Sequence, residues 1–242
     1  MALQKIADSA IKCGMTCDIF YRSYKNDFEW LGYSLKSVDK FAIGFNRVHI
    51  AVPAEDLASV PSVHGESLHV VHDNCDGYMG QQITKLHADE FCEADYVAHL
   101  DSDCILEKKL HMGDLFVGGK PVYLREDGTD SPWIDIAAVT LGWRDSNEYM
   151  RRLPIVYPKW IYAEFREWIQ KKHGMTLDNW VAIQPERRFS EFQSLGQWAY
   201  EYHRDAFHWM HPSEFPAYVS QFWSWGGITP EIKEKIDNIL AS

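Results

Sequence analysis

The sequence predicts an α/β fold: a mostly parallel sheet flanked by helices, continued by a helical, aromatic-rich C-terminal part. Two patterns carry this. Short apolar runs alternate with helix-period segments through the first half, and tryptophan and tyrosine crowd the second. A third observation locates the chemistry. In "YVAHLDSDCIL" (96–106) an apolar run climbs to two aspartates, Asp101 and Asp103, and then turns apolar again.

The elements run in order. After a short amphipathic start, "MTCDIFYRSY" (15–24) reads as a buried strand entering a polar loop. "NDFEWLGYSLKSVDKF" (26–41) has apolar residues at 28, 31, 35 and 38, a helical spacing, with Asn26 as N-cap. "RVHIAVP" (47–53) and "SLHVVHD" (67–73) read as strands around a short helical "AEDLASV". "GYMGQQITKLHADEFCEA" (77–94) reads as a helix and "YVAHLDSD" (96–103) as the fourth strand. Strands and helices alternating at this spacing imply a parallel sheet covered on both faces, with ligands at the carboxyl ends of the strands.

Beyond residue 104 the pattern loosens. "PVYLRE" (121–126) reads as a strand and "DGTDSP" as a loop, while "WIDIAAVTLGW" fits a strand or a buried helix. Helices are expected at "SNEYMRRL", "PKWIYAEFREWIQKKHG" and "SEFQSLGQWAYEYHRD". "TPEIKEKIDNIL" closes as a helix with Thr229 as cap and Pro230 in its first turn. With no repeat or linker, the 242 residues are expected to form a single domain, 1–242.

The formal net charge is −11, so the global field repels nucleic acid and anionic membrane surfaces, and no nucleic-acid partner is expected. No segment offers the roughly 20 apolar residues of a membrane span, and the N-terminus lacks a signal-peptide core. The five cysteines are odd in number and too sparse for a disulfide scaffold; reduced thiols and a cytoplasmic location are expected.

Two carboxylates at i and i+2 share one side of a strand if the strand runs through them. Clustered at the end of an apolar run they repel unless a cation intervenes, and oxygen donors suit Mg²⁺ or Mn²⁺. The plainer alternative is a turn in which Asp101 and Ser102 cap the next helix or loop.

Ending the fourth strand of an N-terminal α/β half, "HLDSDCIL" resembles the D-x-D motif of GT-A fold glycosyltransferases, whose sheet is Rossmann-like. These enzymes move a sugar from a nucleotide diphosphate to an acceptor; the compact length is similar to small bacterial and viral members. The resemblance implies a nucleotide-sugar-binding half at about 15–125 and an acceptor half at about 126–242. It implies that Asp101 and Asp103 hold Mn²⁺ or Mg²⁺ on the donor diphosphate, with Asp101 and Ser102 against the donor itself. Tyr21 would stack on the base, Arg22 lie near a phosphate, and Asp73 bind base or ribose. Gln81 and Lys85, at i and i+4 on one helix face, would approach the diphosphate or ribose. Glu191, at a helix start behind Ser190, would be the general base of an inverting transfer, and attack with retention would remove that role. Among His203, His208 and His211, His211 is the favoured third metal ligand. Trp223 and Trp225 would shape the site for a glycan or other acceptor. A UDP-sugar is the favoured donor.

Other readings remain for these residues. Arg22 and Lys85 could be solvated charges, Glu191 could complement a helix dipole, and the tryptophans could fill a core. The rival functions are a phosphatase of the haloacid dehalogenase type and a non-catalytic carbohydrate-binding protein on the same fold. "DSDCI" lacks the Thr or Val two residues after the second aspartate that the phosphatases usually carry.

Overall fold

The computed structural model describes residues 14–61, 65–73, 75, 77–128, 130–151 and 154–242. The amphipathic start and Cys13 therefore lie outside the described residues, as does part of "SNEYMRRL". The α/β expectation is met. Strand β1 (Cys17–Arg22) is followed by α1 (Phe28–Phe41), β2 (Val48–Pro53), β3 (Ser67–Val71), α2 (Gly77–Lys85), α3 (Ala88–Phe91) and β4 (Tyr96–His99). Then come β5 (Cys104–Leu106), β6 (Lys120–Leu124), α4 (Pro132–Leu141), β7 (Ile155–Pro158), α5 (Trp160–His173), α6 (Leu177–Ala182) and α7 (Glu191–Tyr202). Strands β8 (His208–Met210) and β9 (Val219–Gln221) and helix α8 (Pro230–Ala241) complete the chain.

The central sheet has the order β7-β4-β1-β2-β3. β1 runs parallel to β2 and β4, and β2 to β3, whereas β7 is antiparallel to β4. Alternation along β1 divides the core. Phe20 joins Val97, Tyr157, Phe165 and Phe192 on one face; Ile19 and Tyr21 join Leu31, Ile50 and Leu106 on the other. All of these are buried, which is how a parallel strand covered on both faces must be built.

Several boundaries differ from expectation. The helix read over 77–94 is two helices, because the Leu86 amide reaches both Gln82 O and Ile83 O, a tightened last turn, and His87 then turns aside to Glu90 and Asp178. "WIDIAAVTLGW" is helical, closed by Gly142 in the left-handed conformation (φ +80°). No helix forms at 146–151. Asn147 and Glu148 pair with Asp127 and Glu126, and the Asp145 side chain takes the Asn147 amide, which turns the backbone into a ladder. Helix α1 begins at Phe28, with Asn26 inside the preceding 3₁₀ turn instead of capping it. Thr229 caps α8 as expected, its Oγ1 accepting from the Ile232 amide. Cys17, Cys92 and Cys104 are buried, reduced thiols. Among the described residues no helix is long and apolar enough to cross a membrane.

Candidate active site

The carboxyl ends of β1 and β4 lie side by side, and the chain leaving each is polar. β4 stops at His99, so Asp101 and Asp103 occupy a turn closed by Cys104 N–H to Asp101 O at 3.0 Å. The strand's period-2 rule therefore does not orient them; the turn does. Ser102 is buried within it and donates to Ser23 Oγ (2.9 Å), tying the turn to the end of β1.

The two aspartates point to different partners. Asp101 Oδ1 lies 2.8 Å from Lys85 Nζ, and the same ammonium lies 3.0 Å from Glu191 Oε1. Lys85 comes from the last turn of α2, Glu191 from the first turn of α7, and both are buried. Burial alone would lower the lysine's pKa, but Asp101 and Glu191 outweigh it and push it up, so the ammonium stays charged. Its position over the Phe192 ring, 4.9 Å from the centroid, adds a cation–π contact. One buried cation thus joins the D-x-D turn to the helix that carries the expected base.

Gln82, not Gln81, completes this joint. Its Oε1 accepts the Glu191 amide at 3.1 Å and serves as the cap of α7. Ser190 does not cap; its hydroxyl lies 2.9 Å from Met150 Sδ. The physical reason is rotation: at three residues before Lys85, Gln82 faces the core beside it, while Gln81 is turned to the half-exposed flank.

Asp103 is nearly buried and held from the far end of the chain. Its Oδ2 accepts the Ser224 amide (2.9 Å) and its carbonyl accepts the Phe222 amide (3.0 Å), because β9 pairs antiparallel to β5 and carries 222–225 over the turn. Phe222 stacks on Trp30 (centroids 6.1 Å), anchoring this strap to α1. Trp223 adopts φ +59° and is 58% exposed, and Trp225 is 87% exposed. A bulky side chain at positive φ is strained, and here two large apolar surfaces are presented beside Asp103 instead of being buried.

Asp27, in the loop after β1, is a member of this group that the sequence did not single out. Burial raises its pKa to about 6, and Asp103 and Asp101 add to the effect against the Ser224 hydroxyl. Asp103 is likewise raised, by burial and then by Asp101. A reading of the loop for charge alone could have marked Asp27, but its proximity to residue 224 has no local signal.

Three expected roles need correction, those of Tyr21, Arg22 and His211. Tyr21 is fully buried with its hydroxyl 2.8 Å from Ser34 Oγ, on the α1 side of the sheet, and cannot stack on a base; the aromatic which that loop exposes is Tyr24. Arg22 is not a free loop charge. Its guanidinium is buried 2.6 Å from Asp73 Oδ2 and also donates to Ser23 O and Thr84 Oγ1, so its charge is spent on Asp73. Asp73 is wedged against α2: a Cβ on Gly80 would lie 2.5 Å from its Cγ. Gln81 is half-exposed on the flank of α2, and the joint with Glu191 is made by Gln82. His211 caps the turn at 212–214, accepting the Ser213 amide on Nδ1, and its Nε2 lies 3.9 Å from Glu126. It does not join Asp101 and Asp103: among the described residues the only three ligand atoms of His, Cys, Asp or Glu within 4.8 Å of one another belong to Asp18, His49 and Cys92.

Comparison with known proteins gives two findings. The model of a family described as a family of unknown function, DUF6492, matches residues 19–215. Among solved structures the chain is similar to the galactosyltransferase LgtC, in complex with donor and acceptor sugar analogues, at TM-score 0.55 and 12% identity, covering 93% of this chain and 95% of that one. No curated protein matches. The mostly parallel sheet and its flanking helices thus have the GT-A fold of that neighbour.

Proposed function

Given that the chain belongs to DUF6492, a family whose function is unknown, we propose from the site itself that this protein is a metal-dependent glycosyltransferase that moves a sugar from a nucleoside diphosphate, UDP favoured, to a hydroxyl of a glycan or other acceptor. The observation that carries the proposal is the Lys85 joint. It unites Asp101 of the D-x-D turn with Glu191 at the carboxyl edge of a parallel sheet, where such folds bind ligands.

The residues fit a divalent ion. Asp101 keeps one carboxylate oxygen outside its lysine contact and its side chain is 29% exposed. Burial first, and then the charge of the neighbouring aspartates, raises the proton affinity of Asp27 and Asp103. Hard carboxylate oxygens and uncompensated negative charge suit Mn²⁺ or Mg²⁺. Asp101 and Asp103 would hold it. When bound, the ion neutralises charge growing on the departing diphosphate.

The chain's own residues supply the rest. Lys85 holds Asp101 and Glu191 in fixed relation, and Ser102 fixes the turn. Glu191 keeps Oε2 outside its lysine contact to take the proton of the acceptor hydroxyl as it attacks. Asp73, oriented by Arg22, binds the ribose or base. Trp223 and Trp225 offer flat apolar faces to a sugar ring. The likeness to a galactosyltransferase supports this reading at the level of fold.

The test is thermal unfolding with UDP, GDP, CDP, dTDP and ADP, each with and without Mn²⁺, on the wild type and Asp103→Ala. A ligand at 100 times its Kd adds about 2.7 kcal/mol to the folded state. One diphosphate should stabilise only with metal, and Asp103→Ala should abolish the effect. If none does so with well-folded protein, the reading fails and phosphate-ester turnover is the next assay.

A further inference from the structure

Opposite the candidate active site, near the start of β1, three donors of different chemistry meet in the interior. Asp18 of β1, His49 of β2 and Cys92, just after α3, are 0%, 3% and 2% exposed. Their ligand atoms lie within 4.8 Å of one another. We propose that they form a buried transition-metal site of the zinc class.

The histidine makes the case. His49 Nδ1 lies 2.9 Å from His69 Nε2, so these two nitrogens share one proton. His49 Nε2 is buried and faces Asp18 Oδ2 at 3.2 Å, an atom that can only accept, so either a proton on Nε2 or a cation between the two must join them. With the shared proton on Nδ1, the Nε2 lone pair and a carboxylate oxygen face each other in a dry interior. Such a pair is costly unless a cation lies between them. For metal–nitrogen and metal–oxygen bonds near 2.05 Å, the edge of a tetrahedron is about 3.3 Å, which the observed 3.2 Å matches.

The surroundings are those of a ligand set. His69 stands 2.9 Å from His49 Nδ1, where a proton donated from Nδ1 would leave Nε2 free for the ion, the place an outer partner takes beside a metal-bound imidazole. The Glu93 and Ala94 amides donate to Asp18 Oδ2, each at 3.0 Å, and Asn46 Nδ2 donates to Oδ1 at 3.0 Å, which locks the carboxylate. Mixed N, O and S donors select zinc-like ions over Mg²⁺ or Mn²⁺. The site is separate from the D-x-D turn: Asp18 and Arg22 lie at opposite ends of β1, about 13 Å apart at 3.3 Å per residue. Its effect would be to clip β1, β2 and the α3–β4 link together.

The test is titration of the chelator-stripped full chain with Co²⁺. One equivalent should bind with a thiolate-to-cobalt charge-transfer band, in the wild type and equally in Asp103→Ala. The band should vanish in Cys92→Ser and in His49→Gln, checked for folding by circular dichroism. Zn²⁺ should compete for the site and raise the thermal midpoint. The proposal is overturned if folded wild type shows no such band, if the band survives Cys92→Ser, or if Asp103→Ala removes it. A proton alone between Asp18 and His49 would give the first of these outcomes. Should both variants fail to fold, X-ray absorption on the cobalt-loaded wild type decides, a sulfur among nitrogen and oxygen neighbours supporting the site and oxygen alone overturning it.

Discussion

Replacing Lys85 with methionine keeps most of the aliphatic stem and deletes one charge. That strands two carboxylates, unequally. Asp101 can rehydrate, since its side chain is 29% exposed, whereas Glu191 at 8% cannot. Removing one partner of a buried ion pair costs about 3–5 kcal/mol; with Asp101 able to turn to water, the lower end, about 3 kcal/mol, is expected. At roughly 2–4 °C per kcal/mol for a chain of this size, the midpoint should fall by about 6–12 °C. The assay is a double-mutant cycle by thermal and urea unfolding. Glu191→Gln in the Lys85→Met background should restore part of the loss, with a coupling of roughly 1–3 kcal/mol. Asp101→Asn should couple less. If Lys85→Met costs under about 1 kcal/mol, the level of an exposed pair, or if Glu191→Gln does not couple to it, the joint is not what holds α7 to the D-x-D turn.

Three further outcomes are expected. Gly80→Ala should destabilise by roughly 1–3 kcal/mol in urea unfolding, because its Cβ would lie 2.5 Å from Asp73 Cγ; helix propensity alone predicts a gain of about 1 kcal/mol, so the sign decides. Trp223→Gly should leave stability unchanged or raise it by about 1 kcal/mol by relieving φ +59°, while weakening the acceptor's KM in a transfer assay; a large loss of stability would refute the exposed-platform reading. Stability should also carry opposing histidine contributions. His99 is held well below its ordinary pKa by burial and then by Lys85, so its contribution is complete above about pH 6.5 and is lost as pH falls below it. His87 is raised, the bonds to Asp178 and Glu90 outweighing burial; its contribution is present below about pH 6.5 and lost as pH rises through the folded pKa. Denaturant midpoints of His87→Gln against wild type should therefore diverge at pH 6 and converge at pH 9.

The local pattern determined a good deal. Alternating periods of 2 and 3.6 specified the β-α-β order and the parallel sheet, since burial on both faces forces apolar runs onto the strands. They also put Asp101 and Asp103 at the end of the fourth strand and Lys85 and Glu191 on helices, while only the resemblance to GT-A enzymes implied that those helices meet that edge. The same period held the sign of one error: Tyr21 and Arg22 are adjacent in β1, so they must face opposite sides, and the face of Tyr21 is the core under α1. What only the tertiary structure decided is who meets whom. Lys85 and Glu191 are 106 residues apart and Asp103 and Ser224 are 121 apart, and no periodicity spans such distances. Nothing local separates His211 from Ser224 as a partner for the aspartates; β9 pairs with β5 and carries residue 224, not 211, onto Asp103. Asp18, His49 and Cys92 are each unremarkable in their own segments. They become a cluster only because β1 and β2 are neighbours in the sheet and the chain after α3 passes over them, a juxtaposition set by packing and legible only once the sheet is assembled.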